Sequence, residues 1–205
     1  MTTAILFIAF GYFCGSILFA KVTSKVFHKP AILQDSKDGN PGTANAFQYG
    51  GFWCGTFTLF GDLLKGAIPV YLYQKSGGNY TGMSMSAALV LIAPVFGHIF
   101  PAFYRFQGGK GIAVTFGCLL GLLPNYIPLA VFAMLFILFS TVLRITPHFH
   151  RTLVTYLFTL IGLFVLSCER SILIGFLIIT LLVCFRLYMS KEEKEKMMVK
   201  LLWMH

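Results

Sequence analysis

The 205-residue sequence predicts an all-α, polytopic integral membrane bundle of about seven transmembrane helices. Three observations carry that prediction. Hydrophobic residues make up 57% of the chain and charged residues 11%, with a mean hydropathy of +0.79. A soluble domain carries about a quarter charged residues and less than half apolar ones. The apolar residues are also gathered into seven runs, at about 3–25, 52–74, 85–104, 109–123, 125–143, 151–168 and 170–189. Finally, the cations alternate between loops, as they do when alternate loops lie on opposite sides of a bilayer.

Each run has its own punctuation. The first is long, contains a late Lys21 and lacks a basic n-region, so it reads as a retained helix rather than a cleaved signal peptide. The fourth is short and begins at a glycine turn, Gly108-Gly109-Lys110-Gly111. Pro124-Asn125 separates the fourth from the fifth, and Glu169-Arg170 separates the sixth from the seventh, as in tight antiparallel hairpins. One transmembrane domain over 1–190 is expected, followed by a basic cytoplasmic tail over 191–205. Within that tail KEEKEK and MMVKLLWMH read as a short amphipathic surface helix.

Loop charge sets the orientation. Lys29 and Lys37, Arg105 and Lys110, Arg144 and Arg151, and the tail cations all fall on one side, against Lys75 and Arg170 on the other. The positive-inside rule puts the N-terminus outside and the C-terminus in the cytoplasm, which requires an odd number of spans. The net charge of +9 is therefore a matter of topology and anionic lipid headgroups, and no nucleic-acid partner is expected. Cys14, Cys54, Cys118, Cys168 and Cys184 are scattered singly, which indicates neither a disulfide framework nor a metal site. No inverted repeat points to a transporter.

The stretch GHIFPAFYRFQGGKGIAVT, Gly97 to Thr115, concentrates the chemistry. It places His98, Arg105, Lys110 and a glycine turn between two apolar runs, where charge is expensive. Exposed backbone N–H groups beside one ammonium suit a phosphate oxyanion. The same residues would also make a plain cytoplasmic turn with positive-inside charges. A second glycine-rich loop, QDSKDGNPGTANAFQYGG, clusters Asp38, Gly39, Asn40, Gly42 and Asn45 before a helix starting near Thr43 or Ala44. Read alone, D-G-N-P-G is a strong turn signal; its interest lies in sharing a membrane face with the first loop. Asp62 and Lys65, three residues apart inside an apolar run, share a helical face and are expected to pair as structural support. His148, His150 and Arg151 read as a basic membrane-surface loop, since no carboxylate or Cys accompanies the H-x-H pair as a metal ligand.

GSILFAKVTSK, DGNPGTANAFQYGG, GDLLKGAIPVYLY and GHIFPAFYRFQGGKGIAV, in that order, resemble the bacterial acyl-phosphate-dependent glycerol-3-phosphate acyltransferases, the PlsY family. The resemblance runs over about the first two-thirds of the chain. It implies a seven-span enzyme of the bacterial plasma membrane with its site on the cytoplasmic face. Such enzymes move a fatty acyl group from acyl phosphate to the sn-1 hydroxyl of glycerol 3-phosphate, giving lysophosphatidic acid for phospholipid synthesis. No cofactor or metal is implied, and the partners are the two substrates and membrane lipid, with a monomeric enzyme expected.

The residue types fit such chemistry. An acyl phosphate is already activated, so no Ser or Cys nucleophile is required; two anions must be held together by cations and N–H groups. Lys110, flanked by Gly108, Gly109 and Gly111, is expected to clamp phosphate. Gly39, Asn40, Gly42 and Asn45 would shape the opposite wall, with Arg105 and Arg144 as further substrate-binding cations. His98 would hydrogen-bond a phosphate or orient the acceptor hydroxyl, or else be a structural histidine at a helix end. No carboxylate follows His98 at the spacing of the His-x4-Asp acyltransferases, because Phe103 stands there. Departures from the family pattern are Asp38 for Ser, Thr43-Ala44 for Ala-Thr, Gln48 for Arg, Pro147 for Ser, and Leu187 and Ser190 for the His and Asn that follow Arg186. They leave open a second reading, an altered or inactive paralogue that binds acyl phosphate or phospholipid and regulates partners.

Overall fold

Helix dominates the computed structural model, which describes residues 2–29, 36, 39–190 and 196–201. Asp38, Lys37 and most of the KEEKEK run lie outside the described residues. In chain order the helices are α1 (Thr2–Ser16), α2 (Phe19–Val26), α3 (Thr43–Gly50), α4 (Phe52–Lys75), α5 (Met85–Ile99), α6 (Ile112–Leu120), α7 (Ile127–Ile137), α8 (His148–Val165) and α9 (Arg170–Met189). A 3₁₀ turn at Ala102–Tyr104 follows α5, and a π turn at Leu138–Val142 extends α7.

Each of the seven apolar runs carries helix, but unequally. Among the described residues, Met85–Tyr104, His148–Val165 and Arg170–Met189 are long and apolar enough to cross a membrane. The pair α1 and α2, bent by 40°, makes a fourth if counted as one broken span. α4 has the length, at 24 residues, yet it contains Asp62, Lys65 and Lys75. α6 has nine residues and by itself covers only about 14 Å, half of a hydrocarbon core. The tail departs from expectation. Met198 and Val199 are extended rather than helical and pair antiparallel with Thr146 and Ile145. Two residues of open edge in the α7–α8 connection supply backbone partners that a surface helix would have left unused.

Helices meet backbone to backbone at glycines, as expected where no hydrophobic driving force separates helix from lipid. A Cβ on Gly15 of α1 would strike the Pro94 carbonyl of α5, and one on Gly97 of α5 would strike the Tyr12 carbonyl of α1. α4 and α6 lock in the same way: a Cβ on Gly66 would lie 2.5 Å from the Val114 oxygen, and one on Gly117 would overlap the Leu63 oxygen. Gly117→Ala is accordingly expected to destabilise the bundle by about 1–3 kcal/mol, the usual penalty for overpacking, read as a fall in thermal unfolding midpoint in detergent. An unchanged midpoint would show that α4 and α6 can separate without loss.

The deepest packing joins the second half of the chain to α6. Phe132, Tyr156 and Phe176 are fully buried and in mutual contact, with ring centroids 4.9–5.7 Å apart. The Tyr156 hydroxyl donates to Thr115 Oγ1 at 2.9 Å, and that hydroxyl donates in turn to the Gly111 carbonyl at 2.9 Å. This chain ties α8 to the first turn of α6, immediately behind the glycine loop. On the outside, Phe52, Trp53, Phe164, Val165 and Tyr188 are all more than 60% exposed. Large apolar side chains in such number on an outer surface mark a membrane-facing protein.

Candidate active site

The glycine loop is shaped by its return onto α5. Gly108 N–H donates to the Ile99 carbonyl at 3.1 Å and Gly109 N–H to the His98 carbonyl at 3.0 Å. A Cβ on Gly108 would run into the His98 oxygen, and one on Gly109 into His98 Nε2, so no larger residue fits. Gly111 then takes a left-handed φ of +86° and caps α6, whose first N–H groups open toward the loop. Lys110 sits between them, 8% exposed.

Arg186, near the end of α9, holds the loop from behind. Its Nη2 donates to the Gly108 carbonyl at 2.6 Å and its Nε to the Gly109 carbonyl at 3.4 Å. Both carbonyls are thereby turned away from the cavity side, and a fixed positive charge lies behind the loop. The sequence reading treated Arg186 as the remnant of a motif. A cation near the end of an apolar span is by default a functional candidate, and that signal was present.

A buried polar cluster stands on the other flank. Lys65 Nζ is 2.8 Å from Asp62 Oδ1, 2.8 Å from His98 Nδ1 and 2.6 Å from the Ile17 carbonyl. Asp62, Lys65 and His98 are each less than 5% exposed. The expected Asp62–Lys65 pairing is present, and it does more than balance charge. Ile17 lies in the break between α1 and α2, and Lys65 occupies the carbonyl exposed there. Asp62 Oδ2 accepts from Thr43 Oγ1 at 3.2 Å, which secures the start of α3 against α4. Asn45 Nδ2 donates to the Asn40 carbonyl at 2.9 Å, closing the second glycine-rich loop over the same helix start.

These elements enclose a cavity of about 750 Å³. Its lining is polar at Asn40, Gly42, Thr43, Asn45, Gln48, Tyr49, Asp62, His98 and Lys110 and apolar at Leu59, Ile112, Ala113, Phe116 and Phe136. Pro147 and His148, at the start of α8, complete the wall.

Of the residues expected at the site, Asn40, Gly42, Asn45, Asp62, His98, Lys110 and Gly111 line the cavity. Gly108, Gly109 and Lys65 stand behind it as supports. Gly39, Arg105 and Arg144 are not in its wall: all three are exposed, and each has a positive φ in a turn. Both arginines fall where the chain reverses at a helix end, which turns long side chains toward solvent. His148 corrects the sequence reading in the opposite sense. The basic loop is not wholly a surface feature, since its first histidine borders the cavity. The apolar wall was missed as a group because Leu59, Phe116 and Phe136 come from three different helices with no common spacing. Among the described residues, no group of three or more metal-ligating side chains could hold an ion.

Known proteins share this fold. A family described as glycerol-3-phosphate acyltransferase matches residues 5–198. Curated relatives named glycerol-3-phosphate acyltransferase include those of Cupriavidus pinatubonensis, at 41% identity over 120 residues, and Herminiimonas arsenicoxydans, at 40% over 120 residues. Each alignment covers 58% of this chain and 58–59% of the relative, so the chain spans about three-fifths of the length of the curated relatives it matches. Two crystal structures of PlsY, an integral membrane glycerol 3-phosphate acyltransferase, are similar over 89% of this chain and 87% of theirs at 27% identity. The TM-score is 0.73 for the lysophosphatidic acid form and 0.75 for the glycerol 3-phosphate form. With a match that runs from α1 to the extended Met198 and includes both glycine-rich loops, this chain belongs to the glycerol-3-phosphate acyltransferase family.

Proposed function

We propose that the protein transfers a fatty acyl group from acyl phosphate to the sn-1 hydroxyl of glycerol 3-phosphate, producing lysophosphatidic acid. The observation that carries this reading is the mixed polar and apolar lining of the cavity. Lys110 and Gly111 are in its lining, where a phosphate would be held, and so are Leu59, Phe116 and Phe136, against which an acyl chain would be held. A ligand that is anionic at one end and apolar at the other fits both at once. An acyl phosphate has that form and so does the lysophosphatidic acid product; glycerol 3-phosphate supplies a second anion to the polar wall.

In this reading the enzyme is a monomer in the bacterial plasma membrane. Its seven spans place the N-terminus outside and put the cavity and the C-terminus on the cytoplasmic side. The loop charges support that orientation, because Arg105, Lys110, Arg144 and Arg151 all belong to the cavity side. Lys110 clamps phosphate, His98 donates a hydrogen bond to it, and Asn40 and Asn45 shape the acceptor end. Arg186 positions the glycine loop. Arg186→Ala leaves two carbonyls without a donor and is expected to lower kcat/KM by about tenfold or more while Arg186→Lys retains part of it. Equal activity of the two variants and wild type would remove Arg186 from the machinery.

The family departures at Thr43-Ala44, Gln48 and Pro147 all stand in the cavity wall, and this observation favours the second reading of an altered acceptor or a binding protein without turnover. Purified protein in lipid, labelled palmitoyl phosphate and glycerol 3-phosphate separate the two. Lysophosphatidic acid formation establishes the transferase. Phosphate release without it establishes a different acceptor, and no turnover establishes the non-catalytic reading.

A further inference from the structure

The apolar part of the cavity has a closed end. On α6 its lining runs through Ile112 and Ala113 and stops at Phe116, and on α4 it includes Leu59 and Asp62. Directly beyond these residues the two helices meet backbone to backbone. A Cβ on Gly117 would overlap the Leu63 oxygen, and one on Gly66 would lie 2.5 Å from the Val114 oxygen. The contact continues for another turn, where a Cβ on Gly121 would lie 2.6 Å from the Ala67 oxygen. Helices in such close approach leave no slot between them for a hydrocarbon chain.

Toward α7 the cavity is closed by aromatic rings. Phe136 joins Phe116 in the lining, edge to face at a centroid distance of 5.5 Å. Behind the pair stands Phe132, fully buried, 4.4 Å from Phe116 and 6.3 Å from Phe136. Phe132 rests in turn on Tyr156 and Phe176, and the Tyr156 hydroxyl is bonded to Thr115. Phe116 is thus backed by the deepest packing of the molecule. Phe136 is half-buried in the last turn of α7, just before the π turn at Leu138–Val142. Of the two rings, it is the one whose size can change with less disturbance to the core.

We propose that Phe136, with Phe116 beside it, sets the longest acyl chain that the cavity accepts; the inference rests on the transferase reading. The ground is steric. An acyl tail arriving from the bilayer exchanges one hydrocarbon surrounding for another, so burial alone hardly favours one length over the next. Discrimination comes from the closed end, where an added methylene meets rings already in contact. One methylene too many in a close-fitting apolar pocket changes kcat/KM by about 10–200-fold. A smaller side chain at 136 therefore admits a longer donor, and a larger one only a shorter donor.

The test uses full-length protein in lipid, glycerol 3-phosphate and a series of saturated acyl phosphates from decanoyl to eicosanoyl. Wild-type kcat/KM is expected to fall by about tenfold or more within two carbons beyond its best donor. Phe136→Ala should move the best donor to a chain longer by about two carbons or more, Phe136→Leu should move it less far the same way, and Phe136→Trp should move it to a shorter chain. Ile137→Ala, at a neighbouring side chain that is 59% exposed and outside the lining, should keep the wild-type profile. A general loosening of the fold would lower every rate together and could not shift the optimum in opposite directions. A flat wild-type profile, or one that is the same in all the Phe136 variants, overturns the proposal, because the tail then leaves the cavity for the bilayer. Thermal unfolding midpoints in detergent with lysophosphatidic acids of the same chain lengths make the comparison without turnover. If wild type forms no lysophosphatidic acid, the transferase reading fails, and a length optimum in this stabilisation that moves with residue 136 still upholds the limit. Equal stabilisation by all lengths, or by none, overturns it.

Discussion

Lys110→Ala is expected to reduce lysophosphatidic acid formation by about three orders of magnitude. At contact distance and an effective dielectric constant near 20, one ammonium–phosphate interaction amounts to about 4 kcal/mol, or about 10³ in rate if it is realised in the transition state. The cavity offers a setting of that kind, because Lys110 is 8% exposed and half of the wall is hydrocarbon. In the proposed reaction two anions would approach each other there, and charge would move from the acyl carbonyl to the departing phosphate. Lys110→Arg should recover little of the loss, since a planar guanidinium does not replace a compact ammonium between Gly109 and Gly111. Initial rates with labelled palmitoyl phosphate decide the matter. A Lys110→Ala enzyme within tenfold of wild type would transfer the clamping role to the backbone N–H groups of α6.

The second large effect is expected at Asp62. Asp62→Ala leaves the Lys65 ammonium 4% exposed with no counter-ion among the described residues, and breaking one side of a buried pair costs about 3–5 kcal/mol. Thermal unfolding in detergent should register that loss. Replacing both partners with apolar residues of similar size, Asp62→Leu with Lys65→Met, should restore most of the stability, because no buried charge remains. Activity should stay low in the double variant, because His98 Nδ1 loses its donor and the ring its fixed tautomer. Recovery of both properties together would reduce the cluster to a packing role. Failure to recover stability would show that the Lys65 bond to the Ile17 carbonyl, across the α1–α2 break, holds the first helix in place.

The departures at Thr43-Ala44, Gln48 and Pro147 acquire meaning from their positions. All line the cavity, whereas Leu187 is fully buried in the apolar core and Ser190 bonds to its own helix end through the Leu187 carbonyl. Changes of residue type in the wall alter what the site can hold, while those at α9 were absorbed by packing. His148 is the basic group that α8 brings into the wall.

Composition, run length and loop charge were enough to identify a helical membrane protein, because burial in lipid imposes a collective demand on every residue of a span. The glycine-Lys-glycine loop and the Asp62–Lys65 pair were equally legible, since close backbone approach and a three-residue spacing are local properties. The tertiary structure alone decided which cations belong to the cavity. Arg105 and Arg144 look as suitable as Lys110 in sequence, yet each sits at a chain reversal that turns it outward. It also decided that Arg186 meets Gly108 across 78 residues, and that Leu59, Phe116 and Phe136 from three helices form one apolar wall. Such contacts depend on how helices cross, and helix crossing is set by side chains and glycines far apart in the chain, which no local pattern records.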